Sequence, residues 1–508
     1  MLFHAGAAIR LNELGILPAI KRFSSVSGGS IFAGILATAW DELQATRTDG
    51  MFDAAMFSDL VVQRCIKTAQ RGIDVMSLVR GLISSKSITQ HVAEEFERPV
   101  WTSSVNGKTA PLFDAQFTLA KLPADVDFVF NSTTLNTGTR WTASRQAFGD
   151  DEMTRIWEGS QTGISKKPAE SYIVHAAVST VGLSLAVAAS CAFPPVLSPL
   201  YTATHNGQPP AMLVDGGVYD NFGFESASNF KNILISDGGG VFDAARHVSI
   251  LTFGTMAVRA QLKRVFDAVD ARARAHLRNQ FFELYAIERD GAVPEHIKNR
   301  YGRLIAYWWM DPDPPRETQR VLRRALVGQA LQKSGPNGPQ LLSPQKGWGR
   351  QMPVLQPNAD VARALARLPT GLATIQEAAA KQIVNLGYAR CDQYIRMMWG
   401  HLPDDTLSIK NTPPNYPFKT PINIEAPLSA RNATFISNAM GLSLVQLVAI
   451  ALACLGLFCA IIAFANGFAM GNVCLSVVVI AFVLIIVFAA LRLTRRTVLP
   501  VGTQGVHF

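Results

Sequence analysis

The sequence predicts an α/β domain that ends in a two-helix transmembrane hairpin, and three observations lead there. Short β-rich runs alternate with Ala- and Leu-rich helical stretches through most of the chain, the alternation that builds α/β folds. Glycine-rich turns follow two of the strand-like runs, at 25–30 and 214–221. Two long uncharged apolar runs, 442–464 and 473–491, close the sequence. Of the 508 residues, 48% are hydrophobic and only 17% charged, which excludes disorder for most of the chain. The net charge of +9 favours anionic partners such as a phospholipid surface. Spread over such a length it is too dilute to argue for nucleic acid.

Strands are expected at Arg22–Val26, Phe128–Asn131, Met212–Asp215, Asn232–Asp237 and Val248–Phe253, the short β-rich runs of the alternation. Ser30–Leu43 and Ala169–Ala189 have helical composition without internal proline, and Asp360–Trp399 reads as the helical close of the domain. Arg259–Glu288 reads as a long basic amphipathic helix with Leu262, Val265, Phe266 and Val269 on one side. Its Arg259, Lys263, Arg264, Arg272, Arg274 and Arg278 suit either a solvated face or anionic head groups. Tyr307-Trp308-Trp309 fits an interfacial patch or the core. Loop-like segments rich in Gly and Pro follow at 334–358 and 402–427.

The apolar runs are 23 and 19 residues long, against the roughly 20 that span a bilayer. Asn466, Gly467 and Gly471 turn the chain between them, while Arg431 precedes the first and Arg492, Arg495 and Arg496 follow the second. By the positive-inside rule both flanks face the cytoplasm, so the large N-terminal part does too. Residues 1–20 lack the basic start of a signal peptide, and Arg10 and Glu13 interrupt their apolar run. The expected organisation is thus a domain over 1–398, a Pro-rich linker over 399–440, the hairpin over 441–492 and a short tail over 493–508. The six cysteines, at 65, 191, 391, 454, 459 and 474, form no Cys-x-x-Cys pair. That is neither a zinc nor a disulfide framework.

The chemistry sits at the two glycine turns. Ser25-Val26-Ser27-Gly28-Gly29-Ser30 joins a strand to an apolar helix. A serine on such a turn projects from the sheet edge, and the helix N-terminus behind it offers amide hydrogens to a developing oxyanion. Ser25 stands where a full Gly-x-Ser-x-Gly elbow has its first glycine. Alone, the motif is also what a plain strand-to-helix turn looks like. In Val214-Asp215-Gly216-Gly217-Val218-Tyr219-Asp220-Asn221 an aspartate ends an apolar strand. Its carboxylate can serve as a base or simply cap a polar turn.

Together the turns resemble the patatin-like phospholipase family, and further segments join the resemblance: Leu2-Phe3-His4, Arg10-Leu11-Asn12-Glu13-Leu14-Gly15, Phe130-Asn131-Ser132-Thr133, Thr137-Gly138, Ala189-Ser190-Cys191-Ala192-Phe193-Pro194-Pro195, Leu368-Pro369-Thr370 and Asn385-Leu386-Gly387-Tyr388. The resemblance, closest to a bacterial membrane-anchored branch, covers residues 1–398. It implies a three-layer α/β/α fold with a mostly parallel central sheet. It also implies a Ser-Asp dyad of nucleophile Ser27 and base Asp215, with Ser25, Gly28, Gly29, Gly216 and Gly217 shaping the turns and the oxyanion hole. The implied activity is lipid acyl hydrolysis through an acyl-enzyme, of the phospholipase A or lysophospholipase type, without cofactor or metal. The implied partners are the bilayer and a lipid ester.

The family carries a Gly-Gly-Gly-x-Arg loop upstream of the elbow. Here Ala5, Ala7 and Ala8 flank Gly6 before Arg10, and the chain opens at what resembles the helix after that loop. The expectation is a domain incomplete at its N-terminus, with the Gly28 amide as the remaining donor. The alternative function is a catalytically impaired patatin fold that binds lipid or a partner at the membrane. A Ser27, Asp215, His247 triad has the chain order of α/β hydrolases, but His247, beside Asp243 and Arg246, reads as a surface residue.

Overall fold

The computed structural model describes residues 1–71, 73, 86–102, 107, 109–150, 177–194, 197–202, 210–240, 255–289, 303–310, 359–368, 374–399, 410 and 412–419. One compact unit comprises Met1–Asp243 with Val265–Ala433, and a second comprises Ala244–Arg264 with Thr434–Phe508. Of the second, the described residues are 255–264, the opening of one long helix. Both apolar runs, His247, the expected strand at 248–253 and the loop-like segment at 334–358 lie outside the described residues. Among the described residues no helix is long and apolar enough to cross a membrane.

In chain order the helices are α1 (Leu2–Glu13), α2 (Gly28–Ala45), α3 (Ala54–Phe57), α4 (Arg64–Ala69), α5 (Ile88–Phe96), α6 (Leu183–Ser190), α7 (Thr255–Arg289), α8 (Ala359–Ala366) and α9 (Glu377–Trp399). The strands are β1 (Arg22–Val26), β2 (Pro99–Thr102), β3 (Thr109–Pro111), β4 (Asp127–Thr134), β5 (Arg140–Ala143), β6 (Phe148–Gly149), β7 (Leu200–Thr202), β8 (Ala211–Asp215), β9 (Asn232–Asp237) and β10 (Arg303–Trp309). Both β1 and β9 coincide with the runs read from sequence. The expected single helical stretch at 360–399 is two helices, α8 and α9.

The six-stranded sheet is mixed, not mostly parallel. Within it β1 runs parallel to β4, whereas β4–β5, β4–β8, β5–β6 and β7–β8 are antiparallel. The cause is local. A tight turn joins β4 to β5, with the Gly138 amide donating to the Thr134 carbonyl and Gly138 at φ 74°. So short a link leaves only the antiparallel pairing. A second, two-stranded sheet pairs β9 and β10 in parallel.

β4 is the strand that organises the site. One of its edges takes β5 along Phe130–Thr133. The other takes β1 as far as Val26 opposite Asn131, then β8 from Asp215 opposite Ser132. β1 and β8 therefore arrive head to head on one edge, and the residues at their C-terminal ends meet.

Helix α1 is buried on almost every side and crosses α9 at backbone contact. A Cβ on Gly6 would lie 1.9 Å from the Val384 carbonyl oxygen, and one on Gly387 would lie 1.9 Å from that of Phe3. Arg10 then binds Asp392 through Nε at 2.8 Å and Glu13 through Nη1 at 2.6 Å.

Tyr307, Trp308 and Trp309 lie in β10 and are core residues. Phe281, Phe282 and Tyr285 of α7 pack into the same core. Arg274 and Arg278, read as a solvated or lipid-facing pair, are buried instead. Arg278 Nη2 donates to Asp237 Oδ2 at 2.8 Å, and Arg274 Nε donates to Asp270 Oδ2 at 3.0 Å. Leu262, Val265 and Val269, the expected apolar side of this helix, are exposed. Its inward face is set further along, by Leu277, Phe281 and Phe282.

Candidate active site

Ser27 occupies the turn between β1 and α2 with φ 52° and ψ −126°. A residue with a Cβ is strained there, by about 1–3 kcal/mol, and such strain persists only where the surroundings impose it. The surroundings here come from the end of α6. The Ser27 amide donates to both the carbonyl and the hydroxyl oxygen of Ser190 at 3.1 Å, and the Cys191 thiol donates to the Ser27 carbonyl at 3.1 Å. Ser190 is held in turn, donating through Oγ to the Asn131 carbonyl at 2.6 Å.

Ser25 is accommodated beneath this turn by hydrogen bonding. It is buried, donates to the Val129 carbonyl and accepts from Ser30 Oγ, both at 3.1 Å. Replacing the elbow's first glycine by serine therefore leaves no orphaned hydroxyl. Ser30 and Ile31 donate their amides to the Ser27 carbonyl. Gly28 and Gly29, the first residues of α2, have no preceding helical carbonyl to bond. Their amides, with the helix dipole behind them, are the oxyanion donors this turn can supply.

Asp215 ends β8 and is buried. Its amide donates to the Ala192 carbonyl at 3.0 Å, so Ser190–Ala192 at the end of α6 ties down both turns. Thr133 Oγ1 holds the Asp215 carbonyl at 2.9 Å, and the Gly217 amide donates to Asp215 Oδ1 at 2.8 Å. Gly216 is required by space: a Cβ there would lie 2.4 Å from the Asn131 carbonyl oxygen. Asp215 Oδ2 is buried without a hydrogen bond of regular geometry among the described residues.

Burial pushes the Asp215 carboxyl up to about 7. The Gly217 amide and the Ser27 side chain pull it down, and the negative charge of Asp270 pushes it up again. The Ser27 side chain thus acts on the carboxyl, although no regular hydrogen bond reaches Asp215 Oδ2. Catalytic contacts in an unliganded site are often loose in this way and tighten when substrate binds. A carboxyl titrating near 7 is poised to take and return a proton at neutral pH.

All seven residues singled out from the sequence lie on these two turns, which the sheet brings together. Sequence reasoning gave no role to Ser190, Cys191, Asn131 or Thr133, although it had noted the segments that contain them. Their signal was the recurrence of small polar residues just after apolar runs. Nor did it notice Asn221 Nδ2 donating to Asp270 Oδ1 at 2.7 Å. Among the described residues no group of three or more His, Cys, Asp or Glu converges to hold a metal.

No curated protein and no solved structure matches the chain. Residues 1–228, the stretch that carries both glycine turns, match the family model of patatin-like phospholipases, which supports that family for this part of the chain.

Proposed function

We propose that the chain is a lipid acyl hydrolase using Ser27 as nucleophile and Asp215 as base, tethered to a membrane by the apolar runs at 442–464 and 473–491. The family match over residues 1–228 supports lipid hydrolysis. The observation that carries the assignment of residues is the pairing of a strained serine turn with a buried carboxyl raised to about 7 on the same edge of β4.

Ser27 Oγ attacks the ester carbonyl carbon while Asp215 Oδ2 takes the hydroxyl proton. The oxyanion that forms is bound by the amides at the start of α2. Collapse of the tetrahedral intermediate breaks the ester C–O bond, and Asp215 returns the proton to the departing alcohol. Water then attacks the acyl-serine ester, with Asp215 accepting its proton and Ser27 restored as leaving group. A phospholipid or lysophospholipid is the substrate a tethered enzyme meets, and the basic flanks of both apolar runs support a domain on the cytoplasmic side.

Because the base must be ionised, activity rises with pH through the Asp215 titration. Fatty-acid release from phospholipid dispersed in detergent, measured from pH 5 to 9, is expected to climb along a limb centred near 7. Absence of release at any pH would overturn the hydrolase reading in favour of a lipid-binding fold. A limb centred near 4 would overturn Asp215 as the base.

A further inference from the structure

The charges of α7 include a half-buried one, Asp270, that reaches the Asp215 turn. Asp270 accepts from Asn221 Nδ2 through Oδ1 at 2.7 Å and from Arg274 Nε through Oδ2 at 3.0 Å. Asn221 closes the turn that begins at Asp215. A Cβ on Gly217 would lie 2.7 Å from Asn221 Oδ1 and 3.2 Å from Asp215 Oδ1. The Asn221 side chain therefore packs on the residue whose amide holds the base.

Behind Asp270 the helix is held by a network of hydrogen bonds and ion pairs. Arg274 Nη2 donates to the Gly240 carbonyl at 3.1 Å, and its Nη1 stands 3.6 Å from Asp237 Oδ1. Asp237 Oδ2 also accepts from Arg278 Nη2 at 2.8 Å and from the Tyr307 hydroxyl at 2.7 Å. The Gly239 amide caps Asp237 Oδ1 at 2.9 Å. A continuous chain of contacts thus runs from β9 and β10 through α7 to Asn221, Gly217 and Asp215.

We propose that Asp270 is a positioning residue of this site: through Asn221 it fixes the turn that carries Asp215, and it keeps a negative charge facing the base. The inference rests on Asp215 being the base. Its electrostatic part is supported by the push Asp270 exerts on the Asp215 carboxyl. The groups acting on Asp215 are Ser27 from the elbow, the Gly217 amide from its own turn and Asp270 from α7. The Cys191 thiol of α6 is itself pushed up by burial and by Asp215. Burial and Asp237 push Asp270 up, while Arg274 and Asn221 pull it down. A second carboxylate makes the first a stronger base, because ionising both in one low-dielectric region is unfavourable.

The test uses the full chain in detergent with a short-chain p-nitrophenyl ester, comparing wild type, Asp270→Asn, Asp270→Glu and Asn221→Ala from pH 5 to 9. Asp270→Asn is expected to move the acid limb of kcat/KM down by about half a unit to one unit. Its plateau kcat falls about three- to ten-fold with KM little changed, because a displaced base misaligns proton transfer and not ester binding. Asn221→Ala lowers kcat by a similar factor but keeps the limb nearer its wild-type position, since the charge remains. Asp270→Glu restores the limb.

Thermal melting across the same pH range supplies a readout independent of turnover. The stability difference between wild type and Asp215→Asn bends where Asp215 titrates, and that bend moves down when Asp270→Asn is added to both chains. A bend and limb unmoved by Asp270→Asn would overturn the proposal, whereas a wild type without esterase activity would instead count against the hydrolase reading.

Discussion

Ser27→Ala is expected to lower fatty-acid release by about a thousand-fold or more while the protein still folds, and Asp215→Asn to do nearly the same. Without Oγ there is no acyl-enzyme, and without its carboxylate this edge of β4 loses the group that accepts the serine proton. The stability changes run the opposite way from the activity changes, which separates catalytic loss from misfolding. Ser27→Gly removes a Cβ from a backbone at φ 52° and should stabilise by about 1 kcal/mol, since glycine adopts that conformation without strain. Asp215 titrates near 7 in the fold against 3.8 for an ordinary aspartate. The folded state then binds the extra proton between those values, so its stability is greatest below pH 3.8 and falls until about pH 7. At about 1.36 kcal/mol per unit the loss is on the order of 4 kcal/mol. Asp215→Asn should therefore melt higher than wild type at about pH 8 and level with it near about pH 3.5. Melting curves with turnover assays at both pH values check all three variants. A destabilised Asp215→Asn at the higher pH would contradict a base held in the fold at the expense of stability.

The second large effect concerns stability alone. Gly6→Val or Gly387→Val should destabilise the N-terminal domain by about 4 kcal/mol, beyond the usual 1–3 kcal/mol of overpacking. The added atoms meet carbonyl oxygens of the facing helix at 1.9 Å, and backbone cannot rotate away as a side chain can. Even Gly→Ala, which in an exposed helix would gain about 1 kcal/mol, should lose here, because its single Cβ already forces α1 and α9 apart. A control at Ala45, the last residue of α2, should tolerate valine within about 0.5 kcal/mol. Denaturant unfolding of the three variants gives the comparison, and equal midpoints would mean that the α1–α9 crossing is not close-packed.

What the sequence revealed was whatever a short window can hold. β1 and β9 are short β-rich runs ended by polar or glycine turns, and both lie where that pattern placed them. The serine elbow and the Asp-Gly-Gly turn are likewise local motifs. What it hid depends on partners distant in the chain. Arg278 looked like surface charge because Asp237 lies 41 positions away, and Tyr307 reaches that same carboxylate from 70 positions away. Periodicity alone sets Val265 and Val269 on the apolar side of α7. Burial of Phe281 and Phe282, further along the helix, decides which side packs. The antiparallel β5 and β6 are too short to show alternation, so nothing local stood against the mostly parallel sheet that the family resemblance implies. The link from Asp270 to Asn221 spans 49 positions and carries no motif.

The central claim is that the Ser27 hydroxyl is an activated nucleophile, and an alkyl fluorophosphonate tests it most directly. The full chain is treated in detergent at about pH 8, where Asp215 is ionised, then digested, and the modified residue is located by mass spectrometry. The expected result is one phosphonyl adduct, on Ser27, formed in wild type and almost absent from Asp215→Asn. An adduct on a different serine, no adduct at all, or equal labelling of Asp215→Asn would contradict it.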